Sequence, residues 1–148
     1  MLDELCGEYS HSLDDRGRLA IPSKLRDLLG NDVVVTRGWD KCLYVYPVAA
    51  WKSRSVKIRD LPTSDREIRN LHRFFYPAAF PCEIDKQGRI LLPVNLRTYA
   101  GIVDNVTIVG LGAYMEVWDT ATWEAEQEKL LENAQVLAHA LTERGREV

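Results

Sequence analysis

The chain has 148 residues, 46% of them apolar and 28% charged, which is the make-up of a soluble globular protein and excludes a disordered one. No apolar run approaches the ~20 residues that a membrane span needs, and Met1-Leu2-Asp3-Glu4-Leu5 lacks the basic-then-apolar plan of a secretion signal, so a cytoplasmic protein is expected. The net charge of −3 excludes a uniformly basic nucleic-acid binder, yet the charge is unevenly placed. Residues 116–148 hold eight acids against three bases, whereas residues 52–73 hold seven bases against three acids. A chain of this size suits one domain or two intimate halves, burying roughly 70% of its surface.

In chain order, the first signal is the turn Asp14-x-x-Gly17-Arg18. Asp can cap its own backbone there, and Gly can take the positive φ that other residues resist. Leu19-Ala20-Ile21 follows and is expected to form a strand buried on both faces. Pro22 then sits well at the first position of a two-turn helix, with Leu25, Leu28 and Leu29 on one face and Gly30 ending it. Two strands, around 33–36 and 42–47, lead into a helix containing Trp51. Ser64-Asp65-Arg66-Glu67 fits a capping box; beyond it Ile68, Leu71 and Phe75 line one helical face, and Arg66, Arg69 and Arg73 the opposite one, expected to be solvated or to face another subunit.

From residue 83 the pattern begins again. Asp14, Gly17, Arg18, Pro22, Leu25, Arg26 and Gly30 recur 71 residues later as Asp85, Gly88, Arg89, Pro93, Leu96, Arg97 and Gly101. Further on, Gly38/Gly110, Val45/Val117 and Trp51/Trp123 are 72 apart, which implies one residue gained between the copies. One structural unit is therefore used twice, with halves at 1–80 and 81–148. A long amphipathic helix with an acidic outer face is expected from about 120 to 143, docked on the body or on a neighbouring subunit. Trp39, Trp51, Trp118 and Trp123 are expected as core or interface anchors.

Cys6, Cys42 and Cys82, like the three histidines, are too scattered for a disulfide framework or a metal site, and the cysteines are expected in or near the core. No phosphate-binding, dinucleotide or metalloprotease motif is present, so no cofactor or metal is expected. Asp14 and Asp15 are adjacent and would point to opposite faces of an extended segment, which rules out a carboxylate dyad. An enzyme is not expected.

Arginine on a short ribbon can present its planar fork to phosphates or to the guanine edge in the major groove. Arg16, Arg18, Lys86 and Arg89 are the candidate DNA contacts, and Lys24 and Arg26 on the short helix are candidate phosphate contacts. On chemistry alone, Asp14–Arg18 and Asp85–Arg89 fit equally well as internal pairs that fix each turn.

With its two D-x-x-x-R signatures, each followed by a strand and a Pro-initiated helix, the chain resembles the MraZ family of the AbrB/SpoVT-like DNA-binding group over about 5–143. The resemblance implies an α+β fold with a swapped-hairpin-like β-barrel core, flanking helices and two pseudo-two-fold halves. It implies a homo-oligomeric ring that binds double-stranded DNA at tandem direct repeats upstream of its own operon, in the division and cell-wall gene cluster. Such a regulator is nucleoid-associated and uses no cofactor. The family motif falls on Asp14 and Arg18, and on Asp85 and Arg89, with Gly17, Pro22, Gly88 and Pro93 as architecture. The basic residue before Gly is Arg16 in the first copy but Gln87 in the second, with Lys86 one place earlier. The alternative is a protein-interaction or antitoxin-like module that binds a partner through its long helices; a purely structural ring is a third reading.

Overall fold

The computed structural model describes residues 3–144; residues 1–2 and 145–148, at the outer ends of the expected 1–80 and 81–148 halves, lie outside the described residues. The first half runs β1 (Glu8–Ser12), β2 (Arg18–Ala20), α1 (Ser23–Leu29), β3 (Asp32–Arg37), β4 (Leu43–Pro47), α2 (Val48–Arg59) and α3 (Arg66–Phe75). The second repeats that order as β5 (Phe80–Glu83), β6 (Arg89–Leu91), α4 (Val94–Ala100), β7 (Asn105–Gly110), β8 (Met115–Asp119), α5 (Thr120–Glu132) and α6 (Ala134–Arg144). Among the described residues, no helix is long and apolar enough to cross a membrane.

Six strands form an antiparallel sheet in the order β1-β7-β8-β4-β3-β5, and β2 pairs with β6 in a separate ribbon. Each half lends its first strand to the other: β1 pairs with β7, and β5 with β3. The register is two-fold about Tyr44 opposite Glu116 in the sheet and Leu19 opposite Ile90 in the ribbon. The α+β class holds, but the sheet does not close into the expected barrel. Strands β1 and β5 are its edges, and β2 and β6, three residues each, pair only with one another before Pro22 and Pro93. Proline has no N–H to extend a ladder.

The four central strands are largely buried on both faces, while the edge strands β1 and β5 each keep one face exposed. Along β4, Leu43 and Val45 join a core with the ribbon and with α1 and α4, while Tyr44 and Tyr46 join a second core under α2, α3 and α5. Leu19 and Ile90, at 0% and 1% exposure, are the ribbon's plug into the first core. Cys42 is buried and Cys82 half-buried, as expected, whereas Cys6 is exposed.

Five expectations need correction. The strand after each arginine is buried on one face only, since Leu91 is 44% exposed and Ala20 half-buried; the ribbon has the core on one side alone. The repeat spacing changes twice rather than once. Strand β3 at Asp32–Arg37 matches β7 at Asn105–Gly110, 73 apart, and the hairpin turn then shortens from 38–42 to 111–114, restoring 72 at β4 and β8. The α3 N-cap is Asp65, whose carboxylate accepts from the Glu67 N–H, not Ser64. Pro22 and Pro93 occupy the cap positions, one residue before their helices. Finally, the expected 120–143 helix breaks at Asn133 (φ −107°, ψ 27°), whose side-chain amide donates to the Lys129 carbonyl and closes α5. Of these two helices α5 docks on the sheet, through Trp123, and no residue of α6 is buried.

Because each half completes the other's sheet, the chain should unfold as one cooperative unit. Fragments 1–79 and 80–148 are each expected to lack a cooperative urea transition, and an equimolar mixture to regain one by circular dichroism. Independent cooperative unfolding of either fragment would contradict this.

Candidate nucleic-acid interface

Each D-x-x-G-R turn is built the same way. Asp14 Oδ1 accepts from the backbone N–H groups of Arg16 and Arg18, both at 2.9 Å, and its Oδ2 accepts from Arg18 Nε at 2.7 Å. Asp85 Oδ1 likewise accepts from the Gln87 and Arg89 amides at 2.9 Å, and its Oδ2 from Arg89 Nε at 3.0 Å. The amide of Arg18, first among these donors, holds the Asp14 carboxyl below its ordinary 3.8, and the Arg89 amide does the same for Asp85. The internal pairing weighed from sequence is therefore present in both copies. It also orients each guanidinium, leaving Arg18 and Arg89 with side chains 28% and 26% exposed.

The turns are also held from across the molecule. The guanidinium of Arg97 lies over Gly17, and that of Arg26 over Gly88, so each half's short helix braces the other half's turn. A Cβ on Gly17 would fall 2.8 Å from Arg97 Cζ, and one on Gly88 2.5 Å from Arg26 Nη1. Both glycines also have φ of +77°. Backbone bonds tie the same elements: the Leu92 amide donates to the Gly17 carbonyl and the Ile21 amide to the Gly88 carbonyl. Arg97 Nε donates to the Leu92 carbonyl at 2.8 Å.

The structure thus brings Arg18 and Arg89 together on the outer face of one ribbon, close enough that Arg89 Nη1 lies 3.7 Å from Asp14 Oδ2. Arg16 and Lys86 are exposed at the tips of the turns at opposite ends of that ribbon. Lys24 is exposed on the first turn of α1, at the Lys86 end. Arg26 is half-buried with its guanidinium against Gly88, whereas Lys24 is exposed. Sequence reasoning missed two features. One is the brace by Arg26 and Arg97, for which the recurrence of Arg26 as Arg97 was the available signal. The other is Leu91, placed inside but standing 44% exposed on the outer face.

Gly17→Ala or Gly88→Ala should lower stability by about 1–3 kcal/mol from backbone strain, before any displacement of the bracing arginine. Urea unfolding measures this, and an unchanged midpoint would contradict the brace. A carboxyl held below its ordinary value stabilises the fold above pH 3.8, and that contribution disappears as pH falls through the lowered value. Wild type should therefore exceed Asp14→Asn in urea midpoint by a constant margin above about pH 5, with the margin shrinking in stronger acid.

A protein-family model described as "MraZ protein, putative antitoxin-like" matches residues 5–74 and again 75–144, one match per half. Proteins named transcriptional regulator MraZ are similar over most of the chain. That of Acetivibrio thermocellus is 47% identical over 119 residues, covering 80% of this chain and 83% of its own. That of Limosilactobacillus fermentum is 43% identical over 122 residues, covering 82% and 85%. That of Moorella thermoacetica is 42% identical over 137 residues, covering 93% and 96%. These are names of regulators, not of enzymes, and the duplicated match coincides with the duplicated turn, strand and helix: the chain belongs to the MraZ family.

Proposed function

We propose that this protein is a cytoplasmic, nucleoid-associated transcriptional regulator that lays its β2–β6 ribbon against the major groove of double-stranded DNA. The observation that carries this reading is the single outward face formed by both halves. Arg18 and Arg89 stand on it at opposite ends of the ribbon, with Arg16 and Lys86 beyond them on the turns. A two-stranded ribbon fits the major groove, and each arginine can meet a guanine edge or a phosphate. The relatives named as transcriptional regulators support the same reading. The DNA is proposed to be tandem direct repeats upstream of the protein's own operon, in the division and cell-wall gene cluster.

Self-association completes the proposal. Helix α6 leaves Val136, Leu137 and Leu141 at 63%, 51% and 76% exposure, whereas its first-half counterpart α3 docks through Phe75 and a 4.8 Å stack of Phe74 on Trp39. The acidic stretch 116–148 complements the basic 52–73, which favours a head-to-tail contact between copies. A heterologous contact of that kind generates a ring when its rotation closes. Many weak DNA contacts then act together on evenly spaced repeats, which lets a net-acidic chain bind DNA. The same exposed helix also favours a second reading, an antitoxin-like module whose α6 takes a different protein.

Fluorescence anisotropy across a salt series separates the two readings. DNA from upstream of the chain's own gene should bind at least roughly a thousandfold tighter than a scrambled duplex at physiological salt. Arg16→Ala should weaken binding and reduce the salt slope by about one. Removing residues 134–148 should leave single-site binding but abolish the gain from tandem sites. Equal binding of upstream and scrambled DNA would contradict the regulator and favour the partner-binding module.

A further inference from the structure

The ribbon's two-fold pattern is broken on its outward face. Leu19 and Ile90 enter the core, so strand alternation turns Arg18, Ala20, Arg89 and Leu91 outward. Arg18 stands opposite Leu91, and Arg89 opposite Ala20. The positions that match by repeat therefore carry a leucine at one end of the face and an alanine at the other. The ends differ further. At the Arg16 end, Leu91 is joined by Val94 at the start of α4, 66% exposed. At the Lys86 end, the matching helix start carries Ser23 and Lys24. One end pairs an arginine with an apolar surface, and the other offers cations and a hydroxyl.

We infer that Leu91 is a specificity-determining residue that packs on a thymine methyl, so that the ribbon docks on DNA in one direction only. This rests on the DNA-binding reading above. An isolated exposed leucine is ordinary on a protein surface. This one, however, faces Arg18 across the ribbon, beside the arginine at one end of the strip that would meet base edges. In the major groove, thymine alone among the four bases presents a methyl group, and arginine pairs best with guanine. The Arg16–Arg18–Leu91 end is thus equipped to read sequence, while the Lys86–Lys24–Ser23 end is equipped to grip phosphates, which position but do not specify. A strictly two-fold reading head would match palindromic half-sites. Breaking its symmetry at Leu91 and Ala20 gives every copy one polarity, which is what direct repeats require.

The test is a scan of the upstream duplex in which thymines are replaced by deoxyuridine one at a time, so that each substitution removes only a methyl group. Wild type should lose about fourfold in affinity at one thymine position of each repeat, the worth of one buried methyl. Leu91→Ala should be indifferent to that replacement, and Leu91→Met should restore the sensitivity. Near-ultraviolet circular dichroism confirms that the variants fold, as expected for an exposed position. If wild type and Leu91→Ala respond alike at every thymine while upstream DNA is still preferred, the Leu91 assignment is overturned alone. If upstream DNA is not preferred over scrambled DNA, the DNA-binding reading falls and this inference with it.

Discussion

Each D-x-x-G-R turn is shaped by its own aspartate and clamped by an arginine from the other half, and the rest of the structure depends on that reciprocal arrangement. Asp14 and Asp85 satisfy two backbone donors apiece and fix the arginines four residues on. Arg97 and Arg26 then occupy the space where a side chain on Gly17 or Gly88 would be. Neither turn is complete without the opposite half. The same interdependence appears in the sheet, where β1 and β5 change sides.

This arrangement bears on affinity. A ribbon whose arginines are already oriented has little side-chain freedom left to lose when it meets a duplex, which is the usual route by which preorganisation strengthens binding. Pairing each guanidinium with a carboxylate also tempers the positive field of the face. On the proposed reading Arg18 and Arg89 contribute geometry more than charge, and the exposed cations at the tips, Arg16 and Lys86, contribute charge.

Much of this was legible from the chain. The turn follows from Asp, Gly and Arg at fixed spacing, and the helix that follows it from Pro, three leucines and Gly. Both then gain weight from recurring. Exchange of β1 and β5 was not legible, because pairing partners distant in sequence leave no local signal. Leu91 was misplaced because three successive apolar residues do not reveal which of them faces the core; only pairing within a two-stranded ribbon decides that. The break at Asn133 is not legible because Leu130, Leu131, Ala134 and Leu137 keep helical spacing across it, so the periodicity continues where the backbone helix does not. Arg26 reads in the sequence as a phosphate contact, and only the fold shows that it and Arg97 each cover a turn of the other half.

Amide hydrogen exchange, with and without the upstream duplex, tests the central claim most directly. DNA is expected to slow exchange in 14–20 and 85–91 together, at one common DNA concentration, since both halves build one face. Protection of one turn without the other, or protection confined to α5 and α6, would contradict it.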